Sequence, residues 1–216
     1  MMMRAKPHLS RSWFFPFALL AFLLSSSSQA GLNQPGFTLS GGFGKPNALR
    51  GGRASLVWDT GWSWFQDRSV RIDSYWDLSI AGWLTDGEPG TGLYKNVAVV
   101  GFAPFFQVVG NQGWVIEPFF EASVGVSLMT SSRLGNRNLG SIAHFQDFLG
   151  FGAHFGEQKQ HSLSLHYVHY SNAGLWPPNI GVDVIGMLRW TYRFKEHSRD
   201  VSEVSHVRMD HESTRQ

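Results

Sequence analysis

The chain has 216 residues, a formal net charge of +2 and no cysteine. That length suits a single domain, and the missing cysteines exclude disulfides and thiolate metal sites. Charged residues are only 16% while glycine (24 residues) and aromatics (14%) are abundant, a balance that suits aromatic strands joined by turns more than helices.

The N-terminus reads as a secretory signal peptide over residues 1–30. Arg4, Lys6 and Arg11 precede an apolar run from Trp13 to Leu24, and Ser25 to Ala30 supply a small-residue end. Cleavage is expected after Ala30. The apolar body is shorter than the ~20 residues a membrane-spanning helix needs. The segment carries three basic and no acidic residues, so without it the formal charge falls from +2 to −1. The basic balance therefore belongs to export, and no nucleic acid partner is indicated.

From residue 37 the dominant period is two. Val70, Ile72, Ser74, Trp76, Leu78 and Ile80 share one face, against Arg71, Asp73, Tyr75, Asp77 and Ser79. Ile116, Pro118, Phe120, Ala122, Val124, Val126 and Leu128 oppose Glu117, Phe119, Glu121, Ser123, Gly125 and Ser127. Leu56, Trp58, Trp62 and Trp64 oppose Ser55, Asp59 and Ser63. Such alternation predicts strands. Eight are expected, near 37–44, 54–65, 69–84, 94–109, 113–129, 142–155, 160–172 and 181–194. Turn-rich breaks separate them, including Arg133 to Gly140 and Gly174 to Asn179. The fourth strand has the weakest pattern, being apolar on both faces.

Eight strands at this spacing fit an all-β, eight-stranded antiparallel up-and-down barrel over residues 31–194, whose polarity decides its solvent. A soluble barrel buries its apolar face; a small transmembrane β-barrel turns that face to lipid. Trp and Tyr recur near strand ends, as in an interfacial girdle. The polar faces carry both signs, as a paired and plugged interior requires, and the last strand ends Trp190-x-Tyr192-x-Phe194. These features favour the membrane form. Residues 195–216 break the pattern with four basic residues, five acidic ones and three histidines, and read as a polar, disordered periplasmic tail.

The chemistry concentrates in His166 to Asp183, HYVHYSNAGLWPPNIGVD. His169 and Ser171 lie two apart on a strand, so their side chains leave one face with α-carbons about 6.6 Å apart. Asp183 follows after a loop. Base, nucleophile and carboxylate are the parts of a serine hydrolase. His166 falls on the opposite face and reads as a packed or hydrogen-bonded interior histidine.

His169-Tyr170-Ser171-Asn172-Ala173-Gly174, then Pro178-Asn179-x-Gly181, then Asp183, resembles the signature of the outer-membrane lipid A 3-O-deacylase family, the PagL type. The resemblance implies an eight-stranded barrel with a Ser, His and Glu triad. Carried over by position, it implies Ser171 as nucleophile, His169 as base and Asp183 as orienting acid, one methylene shorter than the family's Glu. Asn172 and Asn179 resemble the residues that form or support the oxyanion hole. The implied activity is hydrolysis of the 3-hydroxyacyl ester at position 3 of lipid A, with lipid A or lipopolysaccharide as substrate, membrane lipid as surroundings, and no cofactor or metal. A homodimer is left open.

With both termini periplasmic and an even strand count, the loop 173–180 is expected on the extracellular side, at the outer leaflet of the Gram-negative outer membrane. One conflict stands in the sequence. Alternation back from Trp190, Tyr192 and Phe194 puts Asp183 on the interior face, unless a bulge near Gly186 or a non-strand start restores it. A non-catalytic membrane barrel, a soluble lipid-carrying barrel and an envelope phospholipase are the alternatives.

Overall fold

The structure, a computed structural model, describes residues 35–194 except 47, 67, 87–95 and 111–112. The expected signal peptide at 1–30 and tail at 195–216 lie outside the described residues. The strands are β1 (Gly36–Lys45), β2 (Leu49–Trp64), β3 (Val70–Leu84), β4 (Asn96–Gly110), β5 (Glu117–Met129), β6 (Arg133–Leu134), β7 (Arg137–Asn138), β8 (Ala143–Phe155), β9 (His161–Ser171) and β10 (Val182–Arg193). Antiparallel pairing runs β1-β10-β9-β8-β5-β4-β3-β2 and closes on itself. The expected eight-stranded barrel is therefore present among the described residues. The stretch Arg133 to Gly140, read as a simple break, instead contains the small β6–β7 hairpin.

The weakly patterned fourth strand is β4. Its inward positions include Val97, Val99, Ala103, Phe105 and Val109, all buried, while Val100, Phe102 and Val108 face outward. It is apolar on both sides because Phe105 stacks on Tyr75 inside the barrel at 5.0 Å.

Polarity is inverted relative to a soluble barrel. Leu56, Leu78, Ile80, Phe120, Val124, Val126, Leu149, Phe151, Leu163 and Leu165 are exposed on the outer wall. Arg53, Asp77, Gln107, Glu121, His166 and Arg189 are buried inside. The interior charges are paired. Arg53 and Arg189 both donate to Asp77, at 2.7 and 3.0 Å. Tyr75 and Gln107 donate to Glu121 Oε2 at 2.7 Å each. Apolar groups outside and paired charges inside are the arrangement that hydrocarbon around a barrel favours.

The two barrel ends differ. Short connections at 65–69 and 156–160 join β2 to β3 and β8 to β9, whereas longer loops at 130–142 and 172–181 lie at the other end. The strand pair that matters most, β9–β10, opens at this long-loop end. Its register is regular from Tyr192↔His161 to Met187↔His166, shifts, and resumes at Val184↔Val168 and Asp183↔His169. On the other side of β10 the register also shifts, between Phe43↔Gly186 and Gly44↔Val184. A bulge at Ile185–Gly186 thus inserts one extra residue, so that Gly186 and Met187 are both buried in succession. Past it the parity of β10 is reversed, and Asp183 emerges on the outer wall.

Candidate active site

The barrel wall places four side chains of interest in one patch at the long-loop end. His169 and Ser171 leave the outer face of β9, both partly buried. Asp183 stands directly across from His169 on β10. Tyr167 sits one outward position before His169 on β9.

Hydrogen bonding sets the tautomer of the imidazole. His169 Nδ1 lies 2.8 Å from Asp183 Oδ1, and a carboxylate oxygen can only accept, so Nδ1 carries the proton. The Nε2 lone pair of the neutral ring is left for a proton from elsewhere. The Tyr167 hydroxyl donates to the same Asp183 Oδ1 at 2.6 Å. A carboxylate held by two donors stays in one rotamer, and so does the imidazole it orients. The bulge is the device behind this contact: without its extra residue Asp183 would point into the barrel.

Gly181 completes the packing around the ring. A Cβ at this position would fall 2.6 Å from His169 Cε1 and 2.9 Å from the Tyr170 carbonyl oxygen. Any side chain there would displace the imidazole. The Gly181 carbonyl accepts a hydrogen bond from the Arg137 guanidinium, which ties the β6–β7 hairpin to the start of β10.

The two asparagines are joined but play different parts. Asn172 is 1% exposed. Its Nδ2 donates to the carbonyls of Leu139 at 2.9 Å and Trp176 at 2.7 Å, and its Oδ1 accepts from Gly174 N at 2.9 Å. The side chain is thus spent on holding the 130–142 and 172–181 loops together. Asn179 Oδ1 accepts from Asn172 N at 3.0 Å, which fixes the exposed Asn179 amide with its Nδ2 directed away from that bond. Gly140, at φ +73°, lets the loops meet, since a Cβ there would overlap the Trp176 carbonyl.

Two features escaped the sequence reading. Asp147 on β8 is the cross-strand partner of His169 on the side opposite Asp183, so the imidazole lies between two carboxylates. Nothing in a linear sequence flags a residue twenty-two positions away as a neighbour; only the β8–β9 register does. The second is an apolar groove of about 430 Å³. It starts at Phe145, the cross-strand partner of Ser171, and crosses the wall through Val126, Phe102 and Leu78 on successive strands. Leu175 and Trp176 of the long loop line its rim.

A second Ser–His–carboxylate cluster lies inside the barrel and does not have the same capacity. Ser164 Oγ at 2.8 Å and Glu121 Oε1 at 2.9 Å both approach His166 Nε2. One nitrogen cannot be oriented by an acid and accept from a nucleophile at once, and all three residues are buried. His166 is the interior histidine that the face parity predicts.

Comparison with known proteins agrees with this architecture. The family described as lipid A 3-O-deacylase (PagL) matches residues 50–193. The lipid A deacylase PagL of Pseudomonas aeruginosa is 38% identical over 131 residues, 61% of this chain and 71% of that protein. The lipid A deacylase PagL of Bordetella bronchiseptica is 29% identical over 176 residues, 80% of this chain and 90% of that protein. A crystal structure of the outer membrane enzyme PagL superposes with a TM-score of 0.63 at 31% identity, covering 74% of this chain and 99% of that one. With its lipid-facing apolar wall, the protein is an outer-membrane protein, and the chain belongs to the lipid A 3-O-deacylase (PagL) family.

Proposed function

We propose that the protein is a serine-type ester hydrolase that removes the 3-hydroxyacyl chain from position 3 of lipid A, working from the outer leaflet of the outer membrane. Membership of the deacylase family supports the ester-cleaving activity and lipid A as substrate. The observation that carries the mechanism is the His169–Asp183 pair on the lipid-facing wall. The pair commits Nδ1 to the carboxylate and keeps Nε2 free of it, with Ser171 the next outward residue of the same strand. Polar groups displayed toward hydrocarbon are costly as mere structure.

Ser171 Oγ attacks the acyl carbonyl carbon as its proton passes to His169 Nε2. Asp183 offsets the imidazolium charge, and Asp147 adds a second negative group beside it. The tetrahedral oxyanion is met by the Asn179 Nδ2, which Asn172 holds in place through its backbone N–H. Collapse breaks the bond between the acyl carbon and the sugar oxygen, which takes the proton from His169. Water then attacks the acyl-enzyme with His169 as base, releasing a 3-hydroxy fatty acid and restoring Ser171. The groove leading from Phe145 receives the acyl chain, so the scissile ester sits where the apolar wall meets the polar loop end.

The test is mass spectrometry of lipid A from Gram-negative cells with and without the protein. Loss of one 3-hydroxyacyl chain per lipid A, and its appearance as free acid, is expected. Unchanged lipid A with the folded barrel in the outer membrane would overturn the assignment, and release of glycerophospholipid acyl chains instead would make the protein a phospholipase.

A further inference from the structure

We infer that Lys45 and Arg137 form an anion subsite that takes a phosphate monoester on the sugar of the substrate, on the far side of Ser171 from the acyl groove. This inference rests on the lipid A reading above, since lipid A is a phosphorylated, acylated glucosamine lipid.

The outer wall at the long-loop end is ordered by charge. Cross-strand pairing runs Lys45 on β1, Asp183 on β10, His169 on β9 and Asp147 on β8. The groove departs from Ser171 in one direction only, through Phe145 on β8 toward β5, β4 and β3. An ester seated at Ser171 with its acyl chain in that groove must direct its sugar the other way, over β10 and β1. Two strand spacings separate β9 from β1, roughly 9.6 Å, within reach of a lysine side chain bending back toward a sugar substituent.

Two cations stand beside Asp183 there, Lys45 as its cross-strand partner and Arg137 near enough to act on its charge. Arg137 spends one nitrogen on the Gly181 carbonyl, a bond that fixes the guanidinium at the head of β10. Lys45 is exposed and makes no ion pair among the described residues. Asp183 compensates them only in part: its Oδ1 is taken by His169 and Tyr167, and Arg137 acts on it through space without a salt bridge. Arg50, two strands from Asp183 in β2, shows the contrast. It is paired with Asp86 at 2.7 Å. A guanidinium at the head of β10 and a lysine ammonium on the adjoining end of β1 are the group types suited to a phosphate dianion. Such an anion would also draw the cations away from Asp183, leaving that carboxylate to His169.

The experiment compares two substrates in neutral detergent: a 3-O-(3-hydroxyacyl)glucosamine lipid bearing a 1-phosphate, and the same lipid after enzymatic removal of that phosphate. The wild-type protein should prefer the phosphorylated form by roughly tenfold in kcat/KM, chiefly through KM, with the preference shrinking as salt rises. Lys45→Met combined with Arg137→Gln should bring the preference close to one, and Lys45→Arg should keep most of it. If Arg137→Gln loses the heat-modifiable gel shift of a folded barrel, Lys45→Met alone is read, with a partial fall expected. Equal kcat/KM for the two substrates in the wild type would overturn the subsite while leaving the deacylase reading intact. No turnover of either substrate would remove both. A neighbouring lipid's headgroup is the other source of phosphate. If added phosphatidylglycerol raises wild-type turnover of both substrates alike and the double variant does not respond, the subsite takes that headgroup and the proposal for the substrate's own phosphate falls.

Discussion

His169 commits Nδ1 to Asp183 and keeps Nε2 for proton transfer, so the chemistry proposed here depends on a few side-chain atoms. Ser171→Ala and His169→Ala should each reduce deacylation to background while the barrel still folds, because both side chains are on the outer wall and neither anchors the interior. Turnover by either purified variant near the wild-type rate would rule out the nucleophile–base assignment. Asp183→Asn should lower kcat strongly, on the order of 10²–10⁴-fold, since an amide neither offsets the imidazolium nor enforces the same tautomer. Asp183→Glu should be much milder, the longer side chain being the type that the family resemblance implies. Equal activity of wild type and Asp183→Asn would mean that another group orients His169, with Asp147 the first to examine. Asn179→Ala should cost roughly 10²–10³ in kcat through the lost oxyanion donor, with little change in stability. Full activity in that variant would remove Asn179 from the oxyanion role.

At the level of elements, the site exists because β10 is irregular. The bulge at Ile185–Gly186 turns Asp183 outward, and Gly181 then lets the start of β10 pass against the imidazole. Gly181→Ala should fold normally yet lose activity, roughly 10²-fold for a misplaced base, because the new methyl occupies space now held by His169 Cε1. The readout is kcat together with the gel shift. Wild-type kcat would show that the ring has room to move without consequence. The β6–β7 hairpin contributes in a similar indirect way. Through Arg137 and the Gly181 carbonyl it braces the same short segment from above.

The whole molecule is held by its interior. Asp77 accepts from both Arg53 and Arg189 and is fully buried. Asp77→Ala leaves two buried guanidinium groups without their shared carboxylate, and a loss of about 3–5 kcal/mol is expected. Urea unfolding of the detergent-solubilised protein, followed by the gel shift, measures it. A midpoint unchanged from wild type would show that water or other partners compensate. Catalysis should survive in the fraction that stays folded, because the interior network and the outer-wall site are on opposite faces of the same strands. This separation is the architectural advantage of the barrel. The inward positions supply stability while the outward positions are free to meet a lipid substrate.

Much of this protein is legible in its sequence because a β-strand has a period of two. The alternation along residues 70–84 and 115–128 is enough to name strands and their two faces, while the closed barrel comes from the family resemblance, and the two-residue spacing of His169 and Ser171 puts them on one face. The sharing of Asp183 with that face was not legible, since it depends on one extra residue in β10, and a bulge is defined only by the partner strands β1 and β9. The same holds for Asp147 and for the row from Lys45 to Asp147, whose members are neighbours through hydrogen-bonded register and not through spacing along the chain. Asn172 marks the limit most clearly. Its motif context singled it out, but only the packing of two loops decided that its amide holds carbonyls of Leu139 and Trp176. Local periodicity is a property of the backbone and is written residue by residue; register, bulges and loop contacts are set by which segments meet, and tertiary structure alone decides that.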